Sequence, residues 1–128
     1  MSPRQYVDMI RLLPNLPANA VGAVASGQVD TADYEAVLIP AVQAALEKYG
    51  SVRVLYVLGP EFTGFTAGAM WEDAKLGVSH LRAWERLAVV SDLGWVAHAL
   101  EIFRFLLPCP AKVFANKDRA QAEAWIAA

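Results

Sequence analysis

The sequence has one cysteine, Cys109, two histidines and no block of like charge. A lone thiol excludes an internal disulfide and any cysteine-based metal cluster, and it suits a reducing compartment, so the cytoplasm is the expected location. His80 and His98 stand on the polar sides of their helices and neither falls in HExxH spacing, so both read as solvated residues and no metal or other cofactor is expected. Eleven basic residues against 13 acidic ones leave a net charge of −2 with no basic run, which makes nucleic acid a poor partner. No apolar run reaches the roughly 18 residues of a membrane span, and no secretory signal is read at the start. The Gly-Lys-Ser/Thr ending of a phosphate loop and the Gly-x-Ser-x-Gly elbow are both missing, so an enzyme is not expected.

Apolar side chains are abundant instead. They make up 56% of the 128 residues, with a mean hydropathy of +0.32. That length suits one domain with a continuous core, read here as residues 1–128. Four Trp and five Phe in so short a chain suggest that some large apolar surface serves binding as well as packing.

The stretch from Leu58 to Leu81 organises the rest. Before it, Val52 to Leu58 is an apolar, β-branched run bounded by Gly50 and by Gly59-Pro60, the pattern of a central parallel strand covered on both faces. A loop rich in glycine and aromatics follows, and then a helix with Thr66 as its N-cap. At about 100° per residue, Ala67, Met70, Trp71, Ala74, Val78 and Leu81 share one arc. Leu76 is an apolar residue on the wet face. In open α/β sheets ligands bind beyond the carboxyl ends of the strands, so this loop is the first place to look for function.

The other elements follow from punctuation. Tyr6 to Leu13 reads as a strand ended by Pro14-Asn15-Leu16-Pro17, and Ala20 to Ala25 as its antiparallel partner, ended by Ser26-Gly27. Asp30 caps a helix from Thr31 to Tyr49, with Asp33 as the second half of a capping box, Tyr34, Leu38, Ala41 and Ala45 on its inner face, a kink at Pro40, and Gly50 as its left-handed terminator. Arg86 to Ser91 is a fourth strand. Ser91 or Asp92 caps a third helix to Leu107, Ala111 to Ala115 is an edge strand, and a last helix begins at Asp118. The expected order is ββαβαβαβα, an α/β fold of about five strands and four helices.

The third helix has a wider apolar face than one sheet contact needs. With Leu93 at zero, Leu93, Trp95, Val96, Ala99, Leu100, Ile102, Phe103, Leu106 and Leu107 spread through about 180°, where a sheet contact uses about 100°, and Phe105 lies apart near 120°. The surplus must meet a neighbouring helix, a ligand, a bilayer surface or a partner.

The runs GQVDTADYEAVLIPAV, FTGFTAGAMWEDAKLG and WERLAVVSD resemble the SpoIIAA-like family of small bacterial proteins, related to STAS domains and likened to the lipid-binding CRAL-TRIO fold. The resemblance covers Ala20 to Ile126. It implies a STAS-like sheet with helices gathered over one side and a helical pair over an apolar cleft. STAS anti-sigma-factor antagonists have an Asp-Ser-Ser/Thr-Gly motif at the start of the helix after the third strand. Here that motif falls on Phe65, Thr66, Ala67 and Gly68, where only Thr66 and Gly68 fit, so the kinase-switched exchange is not carried over. Thr63 and Thr66 remain the nearby hydroxyls.

Two functions follow as expectations. The first is a non-enzymatic binding protein holding a small apolar or lipid-like ligand through Phe62, Phe65, Thr66, Trp71, Trp95 and Phe103, with peripheral membrane contact; the helix angle of Trp71 favours core for that residue. The second is a STAS-type interaction module acting through a homodimer or partner, with Leu76, Phe105 and Leu106 as interface residues.

Overall fold

The computed structural model describes residues 10–14, 16–17, 19–68, 83–103 and 109–128. Its five strands lie in chain order across one sheet: β1 (Ile10–Leu12), β2 (Ala20–Val29), β3 (Val52–Phe65), β4 (Trp84–Val90) and β5 (Ala111–Phe114). β1 is antiparallel to β2, with Ile10 opposite Ala25, and every later pair is parallel. The expected mixed α/β sheet is therefore present. The first strand is described only from Ile10 onward, and its expected start at Tyr6 lies outside the described residues.

The apolar run of β3 is explained by burial on both faces. Val52, Val54, Tyr56 and Leu58 point to one side, into a core shared with helix α1 (residues 31–49) and with Val96 and Leu100 of helix α2 (Gly94–Phe103). Leu55 and Val57 point to the other, under Ala122 and Ile126 of helix α3 (Arg119–Ala127). This corrects one implication of the resemblance, because the helices do not all gather on one side. Ala122 and Ile126 are spaced by one helical turn, so α3 presents a stripe narrow enough for two small strand residues, Ala88 and Val90, to meet it.

Local chemistry sets the ends of α1. The Asp33 carboxylate accepts from the Asp30 amide at 2.8 Å and the Asp30 carboxylate from the Asp33 amide at 3.1 Å, a reciprocal capping box. Gly50 closes the helix at φ 74°, a left-handed position that favours glycine. Pro40 is accommodated differently from the expected kink. The turn before it, Tyr34–Leu38, is widened into a π-helical segment in which the Ile39 amide reaches back to the Tyr34 carbonyl. Widening that turn relieves the contact between the proline ring and the carbonyl four residues earlier.

Both break signals that were expected to end β2 and β3 turn out to lie inside them. Ser26-Gly27 and Gly59-Pro60 are bridged by a continuing ladder that pairs Ala25 with Leu58, then Gly27 with Phe62, Gln28 with Gly64 and Val29 with Phe65. β3 thus advances four residues while β2 advances two, and Gly59, Pro60 and Glu61 are left out of the pairing as a bulge. The Thr66 amide then bonds the Val29 carbonyl at 2.9 Å and ends the pair.

The amino end of the sheet is clasped by charge. Arg53 donates to Glu85 at 2.9 Å and to the carbonyls of Ile126 and Ala128 at 3.0 and 2.9 Å. Arg86 donates to the carbonyl of Trp125 at 2.6 Å and stands over its ring. These bonds satisfy carbonyls that the last turn of α3 leaves free.

Candidate ligand-binding site

At the carboxyl end of β3 the bulges set the side chains. In a regular strand, residues three apart face opposite ways. Phe62 and Phe65 nevertheless join the same core, because Thr63 is an extra residue left out of the pairing between them, and Gly64, which resumes the ladder opposite Gln28, takes φ 143°. Their rings stand 4.8 Å apart. Trp95, one residue into α2, meets both at 6.4 Å, edge-on to Phe65. Behind them Tyr34 and Tyr56 are buried, their hydroxyls 3.0 Å apart, and both rings contact Phe65 at 6.3 and 6.1 Å.

Helix α2 begins at Gly94, so its N-cap position falls on Leu93 and not on the expected Ser91 or Asp92. The buried Ser91 hydroxyl accepts from the Leu93 amide at 3.1 Å in the turn before the helix, and Asp92 accepts from the backbone and side-chain nitrogens of Asn116 at 2.9 and 3.0 Å. Val96 is buried and Leu100 packs against the core. The same helix leaves Trp95 50% and Ile102 61% exposed, and Leu93 just before it is 38% exposed. Trp95 and Ile102 are seven residues apart and so share a face.

Of the residues singled out in the sequence, Phe62, Phe65 and Trp95 therefore come together, and Thr66 adjoins them, half-buried, at the exit of β3. Helical backbone begins at Ala67 and Gly68, as the Thr66 cap requires. Gly68 is held close to the first turn of α1: a Cβ there would collide with Thr31 Oγ1. Thr63 is exposed. Trp71, Leu76, His80, Phe105 and Leu106 lie outside the described residues. Phe103 ends α2, and its side chain also lies outside them.

Tyr34 and Tyr56 are the members that sequence reasoning missed. The signal was there: a tyrosine inside the otherwise apolar run of β3 needs a partner for its hydroxyl, and Tyr34 was the tyrosine placed on the inner face of α1. Cys109 does not contribute chemistry to this region. It is buried, and burial pushes its thiol above the usual range, the wrong direction for a nucleophile. His98 is exposed, and no described helix is long and apolar enough to cross a membrane.

No curated protein matches the chain in sequence. Among solved structures, an uncharacterized protein from Shewanella loihica with a SpoIIAA-like fold is similar over 98% of this chain and 98% of its own, at 24% identity and a TM-score of 0.73. That likeness shows the fold. The SpoIIAA-like family itself matches residues 20–127, from the first residue of β2 to the last of α3, and on that match the chain belongs to the SpoIIAA-like family.

Proposed function

We propose that the protein is a non-enzymatic binding module that holds a small apolar or lipid-like ligand against Phe62, Phe65 and Trp95, between the sheet and its covering helices. A SpoIIAA-like fold supports a binding or regulatory module. The observation behind the ligand is Trp95, which rests on two phenyl rings while half of its own surface stays in water. A large ring left in that position gains about 25 cal/mol for each Å² a ligand removes from solvent. Among the described residues the groups gathered there are mostly aromatic rings, with the Thr66 hydroxyl beside them, which suits a ligand that is largely apolar. The expected setting is the cytoplasm, with peripheral membrane contact through the same exposed residues.

Native mass spectrometry of protein purified from its own host, followed by solvent extraction and lipid analysis, tests this reading. A bound acyl compound that Trp95→Ala fails to retain supports it. Ligand-free wild-type protein that also ignores oleate in a tryptophan-fluorescence titration overturns it.

The exposure of Ile102 favours a second reading, in which α2 is a contact between two copies or with a regulatory partner. Leu76, Phe105 and Leu106 belong to that reading as interface residues. Ile102→Glu separates the two: it dissolves a dimer in sedimentation while leaving ligand retention intact.

A further inference from the structure

The opposite face of the sheet holds an open hollow of about 240 Å³ at the carboxyl ends of β2 and β3, beside the turn from β5 into α3. Val24 and Val57 form its apolar floor, and Arg11, Ser26, Glu61 and Arg119 stand around it. It exists because of the bulge. Gly59, Pro60 and Glu61 leave the ladder between β2 and β3, and the sheet opens where they do.

The two arginines are used differently from those at the amino end. Arg11 makes no ion pair with any described residue, and Arg119 has only a loose 3.7 Å contact to Glu123, both partners about two-fifths exposed. A guanidinium presents a planar fork of donors that matches a carboxylate or phosphate, and the two at this hollow share it with one lining carboxylate, Glu61, while Asp92 is turned onto Asn116 and Glu123 rests loosely on Arg119. The rim is held in place. Asn116, also at the hollow, is pinned to Asp92 through its backbone and side-chain nitrogens, which fixes the turn that presents Arg119.

We infer that this hollow, between Arg11, Arg119 and the Gly59–Glu61 bulge, binds a small organic oxyanion whose carboxylate or phosphate head meets the arginines and whose compact body covers Val24 and Val57. The site is independent of the aromatic cluster, from which the sheet separates it.

Titration of isotope-labelled full-length protein with inorganic phosphate and, separately, with succinate tests the inference by amide shifts. Saturable shifts at Ser26, Gly59 and Asn116 at about 10 mM of either anion are expected. A response to phosphate alone assigns a phosphate head, and to succinate alone a carboxylate head. Arg119→Gln and Arg11→Gln each weaken binding about tenfold, whereas Glu61→Gln, which removes the carboxylate that lines the hollow, tightens it several-fold. Trp95→Ala leaves these shifts unchanged, which separates failure here from failure at the aromatic cluster. No shift at those amides with either anion overturns the inference, as does unaltered binding in both arginine variants.

Discussion

The two ends of the sheet use the same kinds of side chain for opposite purposes. At the amino end Arg53, Glu85 and Arg86 are joined to one another's neighbours and to the last carbonyls of α3, and the Trp125 ring is stacked beneath Arg86 and Lys112. At the carboxyl end Arg11 stands without an ion pair among the described residues, Trp95 is half in water, and β3 is bulged. The first end holds the molecule together. The second leaves charge and ring surface exposed and interrupts the strand ladder, which is where a protein meets something else.

The strongest way to break this comparison is to remove an arginine from each end. Arg53→Ala takes away charge-assisted bonds to Glu85, Ile126 and Ala128 and frees the end of α3, so it is expected to destabilise the fold by about 2–3 kcal/mol. Arg11→Ala should change stability by less than about 0.5 kcal/mol. Urea unfolding of both variants decides the matter: equal losses would mean that the ends do not differ in kind.

The bulge comes next in size. Gly64→Ala has open space for its methyl but must hold φ 143°, and the expected loss is about 1–2 kcal/mol, with the Trp95 emission shifting as Phe65 turns away. An unchanged midpoint and spectrum would show that the aromatic cluster does not depend on the backbone turn at Gly64.

That same bulge marks the limit of what the sequence could reveal. The capping box of Asp30 and Asp33 and the turn at Gly50 were legible because each is decided within four residues. Ser26-Gly27 and Gly59-Pro60 were misread as strand ends because each was judged alone. In the folded chain they are neighbours on parallel strands, and an irregularity in one is absorbed by an irregularity in the other. Whether a glycine stops a strand or bends it depends on its partner strand, which local sequence does not contain. The candidate site divides in the same way. The surplus of apolar residues on α2 was visible as periodicity, but the meeting of Trp95 with Phe62 and Phe65, and of Tyr34 with Tyr56, is a property of sheet order.

A pH titration sharpens the amino end more gently. The Arg53 hydrogen bond, then those of Ser51 and Asn19, hold the Glu85 carboxyl below the usual carboxylate range. Because the folded value is the lower one, the stabilisation is complete above the ordinary carboxylate range and is lost as pH falls through the depressed folded value. Glu85→Gln should therefore remove part of the acid sensitivity between those two limits and leave the slope near neutrality alone. Parallel stability curves for wild type and variant across the acid limb would detach Glu85 from the clasp.

The smallest expected effect concerns the amino end's one exception. Trp84 begins β4 with its indole Nε1 buried and without a hydrogen-bond partner among the described residues, in a neighbourhood where other polar groups are paired. An unmet buried donor costs about 1–3 kcal/mol, and Trp84→Phe removes it together with some ring contact, so the two terms oppose each other. A net change within about 0.5 kcal/mol of zero is expected from denaturant midpoints. A loss of about 2 kcal/mol or more would mean that packing of the indole outweighs its orphaned N–H, and that this end of the sheet is held by ring contact as much as by charge.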